Sequence, residues 1–248
     1  MKILVCISHV PDTTSKINFV DDDTVFDKNG VKFVINPNDE FGLTRAIWFQ
    51  QKQQAEVTVI TVGDPSCEPT LRKCLAIGAN KAVRVDLSPT DGFQVAQQLS
   101  AHCKVENYDL IIAGRESIDY NGGMVPGMIS ALSKINFVDK CTSLEIDNNN
   151  VKAVREIEGG VENISTSLPL IISSQKGLVE EKDLRIPNMR GIMMARKKEL
   201  IVIEDYGFKT SSQTIKFEKP LSKNKVTLIP SDNVDKLIDL LNKEAKVI

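Results

Sequence analysis

The segment Gly114-Arg115-Glu116-Ser117-Ile118-Asp119-Tyr120-Asn121-Gly122-Gly123-Met124-Val125-Pro126-Gly127 carries residue types that suit phosphate binding. It follows an apolar run at residues 109–113, which reads as a buried strand. Open α/β sheets bind ligands just beyond the carboxyl ends of their strands, so this is where a ligand belongs. A Gly-Gly turn that opens a helix lets backbone N–H groups approach a phosphate closely, and the helix dipole adds to the attraction. Pro126 fits the first helical turn, where its missing donor does no harm. The same residues also describe an unoccupied loop and helix start. A second stretch, Asn36-Pro37-Asn38-Asp39-Glu40, turns the chain. There Asn38 or Asp39 is expected to cap a helix running through Trp48, whose first N–H groups are again free for an anion.

Other chemistry is poorly served. His9 has no acid or nucleophile near it in sequence and reads as a loop histidine. Asp21-Asp22-Asp23 reads as a solvated acidic turn, because a calcium loop needs further oxygens at regular spacing. Cys6, Cys67, Cys74, Cys103 and Cys141 are scattered, never form CxxC, and are accompanied by only two histidines. Zinc or iron–sulfur ligation is therefore not expected, and buried reduced thiols in a cytoplasmic protein are expected. No GxGxxG follows the first strand and no GxxxxGK[ST] occurs, which removes the nicotinamide Rossmann and P-loop readings. No nucleophile–base pair or carboxylate dyad stands out, so no catalytic residue and no metal ligand is assigned.

The balance of the 248 residues narrows the function classes further. A formal charge of −2 argues against a broad nucleic-acid surface. No apolar run reaches bilayer length, and Lys2-Ile3-Leu4-Val5 enters a strand at once, with no signal or transit peptide visible. With 42% hydrophobic residues, the chain can bury a substantial core.

The elements that must position the candidate residues follow from periodicity. Residues 3–7, 56–63 and 109–114 are continuous apolar runs of the kind found in central parallel strands. Residues 31–35 and 81–87 read as further strands, and residues 8–12 as a loop. Between them, Cys67, Leu71, Cys74, Leu75 and Gly78 fall on one helix face, and Val95, Leu99 and Cys103 on another. Gly78 is placed to end the first of these helices. Strand and helix alternate, which predicts right-handed crossovers and a doubly wound, mostly parallel α/β sheet.

Residues 151–173 add a different pattern. Alternation at 153–157, the turn Glu158-Gly159-Gly160, alternation at 164–168 and the run Leu170-Ile171-Ile172 predict a β-hairpin followed by a buried strand. The spacing Ala153-x-Arg155-x-x-Glu158-Gly159-Gly160-x-Glu162-x-Ile164, with Pro169-x-Ile171-Ile172-Ser173 beyond it, resembles the signature of the electron transfer flavoprotein β subunit. The resemblance extends over almost the whole chain. It implies a Rossmann-like domain at residues 1–199 and a C-terminal arm at residues 200–248 that packs on a flavin-bearing α subunit. It implies an adenine nucleotide in this chain, AMP or a second FAD, besides FAD in the α subunit. The nucleotide residues it implies are Cys6, Asn36, Pro37, Asn38, Asp39, Val62, Gly114, Arg115, Asp119, Gly122, Gly123, Met124 and Val125. Many family members have Gln at the turn where this chain has Met124-Val125-Pro126, so one amide donor is missing. Arg155 and Glu158 read as structural charge pairs.

Residues 184–198 combine Met189, Ile192, Met193 and Met194 with Arg190, Arg196, Lys197 and Lys198. Methionines in such a segment either fill the protein's own core or form an exposed adaptable patch. The resemblance implies the second, a recognition loop for an acyl-CoA dehydrogenase or similar flavin dehydrogenase. Met189 would be its anchor, with Arg190, Ile192 and Met193 around it and the basic residues steering an acidic partner. A quinone reductase is the implied electron acceptor. After residue 204 the chain is polar through Lys225 and ends in a helix from Asp232 with the stripe Val234, Leu237, Ile238 and Leu241. That stripe is expected on a second subunit. Two other functions fit the sequence: a bifurcating subunit whose second FAD takes electrons from NADH, and a free-standing adenine-nucleotide sensor, which would be a stable monomer.

Overall fold

In the computed structural model, which describes residues 1–221 and 226–248, the apolar runs become the middle of one nine-stranded sheet. In chain order the elements begin with β1 (Lys2–Cys6), β2 (His9–Pro11), β3 (Phe19–Val20), β4 (Val25–Phe26), β5 (Phe33–Ile35) and α1 (Pro37–Gln53). Next come β6 (Glu56–Gly63), α2 (Glu68–Ile77), β7 (Lys81–Asp86), α3 (Gly92–Glu106), β8 (Leu110–Gly114) and α4 (Val125–Ser133). The last group is β9 (Asn136–Asp147), β10 (Asn150–Ile157), β11 (Gly160–Ser167), β12 (Leu170–Ser174), α5 (Met189–Ala195), β13 (Leu200–Glu204) and α6 (Val234–Leu240).

The sheet order is β11-β10-β9-β12-β8-β1-β6-β7-β13. Pairing is parallel from β9 to β13 and antiparallel only where β9, β10 and β11 meet. A doubly wound, mostly parallel sheet with an added hairpin is what the alternation and the signature segment predict. Strands β1, β8 and β12 are buried on both faces, which is why they read as unbroken apolar runs rather than as alternation. Leu43, Ala46 and Ile47 of α1 and Leu71, Cys74 and Leu75 of α2 fill one face. Ala96, Leu99 and Cys103 of α3 and Ile129 of α4 fill the other. Each fully buried Leu or Ile contributes roughly 1.5–3 kcal/mol by leaving water. All five cysteines are free and buried within these layers. No described helix is long and apolar enough to cross a membrane.

Several local expectations are corrected. Residues 8–12 are not a plain loop: β2 lies there and pairs antiparallel with β5, so the strand read at 31–35 belongs to a separate two-stranded sheet. His9 is fixed in β2, its ring stacked 4.3 Å from that of Phe33 and its Nδ1 2.8 Å from Thr70 Oγ1. Asn36, not Asn38 or Asp39, is the N-cap of α1, and its side chain does not cap the helix. Arg155 does form a structural charge pair, with Glu162 directly opposite on the hairpin at 2.5 Å, whereas Glu158 is in no ion pair among the described residues. The turn does fall at Gly159, with φ of 79° where glycine is free of Cβ strain.

Residues 200–204 form the edge strand β13 against β7. The part of the C-terminal segment that leaves the sheet therefore starts at residue 205. It first runs along α3, where Gln98 Oε1 accepts from the Tyr206 N–H at 2.8 Å and Gln94 Nε2 donates to the Phe208 carbonyl at 3.2 Å. It then reaches β3, where Phe217 stacks on Phe19 at 4.7 Å. The polar stretch read through Lys225 includes residues 222–225, which lie outside the described residues.

Candidate functional site

Strands β1 and β8 lie side by side, yet the chain leaves β1 toward β6 and leaves β8 toward α4 on the opposite side. Such a reversal opens a crevice at the carboxyl ends of the two strands. The first turn of α1 closes the bottom of that crevice. Asp39, almost fully buried, accepts the Ser8 N–H at 2.6 Å through Oδ2 and the Asn36 side-chain amide at 3.0 Å through Oδ1. The Gly114 N–H donates to the same carboxyl. Burial nevertheless pushes Asp39 up to about 7, because the lost hydration of the charged form outweighs these donors.

Asn36 is also fully buried and works in two directions. Its Nδ2 donates to the Glu116 carbonyl at 2.8 Å, while its Oδ1 accepts the Ile118 N–H at 3.2 Å. Asn38 Nδ2 donates to the same Glu116 carbonyl at 3.1 Å. The Asn-Pro-Asn-Asp stretch is thus a clip. It joins the end of β1, the end of β8 and the loop after β8, and so fixes where that loop can go. Gly114 leaves the room for it: a Cβ there would overlap the Asp39 carboxylate and stand 2.9 Å from Asn36 Nδ2.

The opposite wall comes from β9 and β12. Arg115 donates from Nη1 to Gln175 Oε1 at 3.1 Å and from Nη2 to Glu116 Oε1 at 2.8 Å. Gln175 Nε2 in turn donates to Glu156 Oε2 at 2.6 Å. At Lys140, φ is +47°, and its N–H donates to Ser173 Oγ at 2.7 Å while that hydroxyl donates to Asp139 Oδ1 at 2.5 Å. Arg115, Glu116, Gly123, Asp139 and Lys140 line a cleft of about 230 Å³. No side chain caps α4, whose first turn carries Pro126, so its leading N–H groups keep their capacity for an anion. Gly123 passes close under the Arg115 carbonyl, 3.1 Å from where a Cβ would sit. These features fit a phosphate-bearing ligand: two cations line the cleft with Gly123, two residues before the uncapped nine-residue α4 begins, and Glu116 and Asp139 limit the net positive charge.

Of the thirteen residues assigned from sequence, Arg115 and Gly123 line the cleft, and Asn36, Asn38, Asp39 and Gly114 belong to the clip. Met124 is exposed. Asp119 is exposed too, and among the described residues its carboxylate accepts only the neighbouring Tyr120 N–H, at 2.9 Å. Cys6 is buried in the α3–α4 core layer, where burial pushes its thiol well up, and Val62 packs against the same layer. Asp139, Lys140, Gln175 and Glu156 were missed. Ser173-Ser174-Gln175 carries a usable signal, a small polar run directly after a buried strand; nothing in the local pattern marks Lys140. Among the described residues no cluster of His, Cys, Asp and Glu could hold a metal ion.

The second candidate surface is α5. Met189, Ile192, Met193 and Met194 are all exposed, Met189 by 75%, so these methionines do not fill the protein's own core. Lys198 departs from expectation, since its ammonium donates to the carbonyls of Leu75, Gly78 and Ala79 at 3.0, 3.3 and 2.6 Å. It is engaged within the fold and does not steer partners.

The sheet order and the crevice at its switch point define a Rossmann-like, doubly wound α/β protein. A sequence model of the electron transfer flavoprotein domain matches residues 23–206, and the chain belongs to that family. It is similar to the electron transfer flavoprotein subunit beta of Bacillus subtilis, 33% identical with all of both chains covered. The protein of that name from Syntrophomonas wolfei is 31% identical over 90% of this chain and 87% of its own. The mitochondrial electron transfer flavoprotein subunit beta of Arabidopsis thaliana is 30% identical over the full length of both.

Proposed function

We propose that this chain is the β subunit of an electron-carrying flavoprotein heterodimer in the cytoplasm. Its strand-end crevice holds an adenine nucleotide, AMP or FAD, and its α5 face docks a flavin dehydrogenase such as an acyl-CoA dehydrogenase. The observation that carries the reading is the buried Asn36–Asp39 clip, which holds the loop after β8, the loop that brings Arg115 and Gly123 to one cleft and leads into the uncapped α4. In this reading Arg115, Lys140 and the leading N–H groups of α4 bind phosphate, and Asn36 and Asp39 hold the loop that presents them. FAD in the α subunit supplies the electron-accepting chemistry, and a quinone reductase is the next acceptor. The tail supports a second subunit: Val234, Leu237 and Ile238 of α6 are 56%, 42% and 48% exposed, an apolar stripe without cover from the described residues of this chain.

Nucleotide content tests the reading. The chain is co-expressed with its flavin-bearing partner, the complex is precipitated with acid, and released FAD and AMP are quantified. One FAD and one AMP per heterodimer are expected of a simple carrier. Two FAD and no AMP would assign a redox flavin to the crevice, and no nucleotide beyond the partner's FAD would remove the site. Docking has its own check. Met189→Ala is expected to raise the KM for reduction by a dehydrogenase about 10-fold, an apolar anchor being worth roughly 1–2 kcal/mol, with flavin content unchanged. Equal kinetics in both proteins would remove the anchor.

A further inference from the structure

Helix α5 is only seven residues long, and a helix of that length does not persist in water on its own. Five side-chain hydrogen bonds tie it and the turn after it to α2. Arg72, on α2, donates from Nη1 to the Ala195 carbonyl at 2.8 Å and to the Lys198 carbonyl at 2.7 Å, at and just beyond the end of α5. Lys198 returns the contact, its Nζ reaching the carbonyls of Leu75, Gly78 and Ala79 at and beyond the end of α2. Each helix thus has its trailing carbonyls satisfied by a cation from the segment of the other, which also answers the negative end of its dipole. The two helices come very close between these ties: a Cβ on Gly191 would overlap the Ala76 carbonyl. Beside that contact lies an open groove of about 560 Å³ whose lining includes Pro69, Ala76, Pro187 and Ile192.

We infer that Arg72 and Lys198 are positioning residues, a reciprocal clasp that holds α5 on α2 as a preformed docking platform for the dehydrogenase. The inference rests on the docking reading above and adds what makes that surface rigid. A partner that meets an ordered α5 does not have to order it, and that saving in conformational entropy goes into affinity. The clasp also explains why a basic residue so near the methionine patch contributes nothing to its outward charge. Gly191 belongs to the same device, because only the absence of a side chain lets the clasp close.

The test uses the full-length chain as purified and the variants Lys198→Met and Arg72→Met, which keep the apolar stems and remove the charges. Hydrogen exchange read by mass spectrometry is expected to quicken at least 10-fold in peptides covering α5 and the last turn of α2, with β1 and β8 unchanged. Lys198→Arg, which keeps a cation at the same carbonyls, is expected to restore most of the protection. Unchanged exchange in α5, or quickening spread equally over β1 and β8, would overturn the clasp. A kinetic arm separates the clasp from docking: with an acyl-CoA dehydrogenase and its acyl-CoA substrate as the reductant, Lys198→Met is expected to raise KM several-fold and leave kcat in place. If exchange quickens in α5 but KM is unmoved by both Lys198→Met and Met189→Ala, the docking surface fails and the clasp is left as a purely internal fastening.

Discussion

Gly114→Ala is expected to lower the melting temperature by about 6–12 °C and to strip the bound nucleotide from the complex. The added methyl has nowhere to go. It overlaps the Asp39 carboxylate, stands 2.9 Å from Asn36 Nδ2 and 3.1 Å from Asn38 Cβ, and these atoms are held by the end of β1 and the loop after β8. Overpacking a site that cannot relax costs about 3 kcal/mol. For a chain of this length each kcal/mol moves Tm by about 2–4 °C. The alternative to a clash is a displaced α1 first turn, which breaks the Asn36 and Asn38 bonds to Glu116 and frees the loop that presents Arg115 and Gly123. Either route affects the nucleotide, so calorimetry and nucleotide release should fall together. A melting temperature and nucleotide content equal to wild type would show that the clip is looser than its geometry.

The sequence makes the middle of this fold readable because burial on both faces writes itself as an apolar run. Ile3-Leu4-Val5, Val57-Thr58-Val59-Ile60 and Leu110-Ile111-Ile112 could hardly be anything but central strands. The hairpin was legible through a different signal, alternation around Glu158-Gly159-Gly160. Strand β9 was not, although Val138, Cys141, Leu144 and Ile146 all point into the core. A register shift beside Lys140, with its left-handed φ, breaks the alternation where a reader would count it. The pair β2–β5 was missed because three-residue strands, one ending in Pro11, leave no period to detect. At the site the limit was of another kind. Asn36 and Asp39 could be picked out as polar residues at a helix start, but the Glu116 and Ile118 partners of Asn36 lie about eighty residues away, and Asp39 binds the distant Ser8 and Gly114 N–H groups. Local propensity therefore suggested capping, while tertiary structure uses the same side chains to join three segments. Lys198 shows the same lesson, since a charge in a basic run says nothing about the three carbonyls waiting for it at and beyond the end of α2.

Asp39→Asn is expected to change how stability depends on pH, and the direction follows from burial. In the folded chain Asp39 is held at about 7, against an ordinary value of 3.8. The folded state therefore binds the proton more tightly than the unfolded state, and stability from this group is fully present below about pH 4. It is lost as pH rises toward 7 and stays lost above, a slope of up to about 1.4 kcal/mol per pH unit and ~4 kcal/mol in all. The asparagine variant has no proton to release there. Its amide brings N–H donors toward the Ser8 and Gly114 N–H groups, so it starts less stable, by about 1–3 kcal/mol for an unsatisfied buried donor. It does not share the wild-type decline. The wild-type melting temperature minus that of the variant should therefore be positive and largest near pH 4, fall through zero as pH rises, and be negative and constant above about pH 7. Calorimetry at half-unit intervals of pH reads this directly. Parallel curves across the whole range would mean that Asp39 is ionised in the fold at every pH tested, and that its three donors, not its burial, set its charge. Because the same carboxyl holds the end of β1 to the end of β8, such a reversal would also link the crevice to pH: the clip would be a neutral, acid-held joint at pH 6 and a charged one at pH 8.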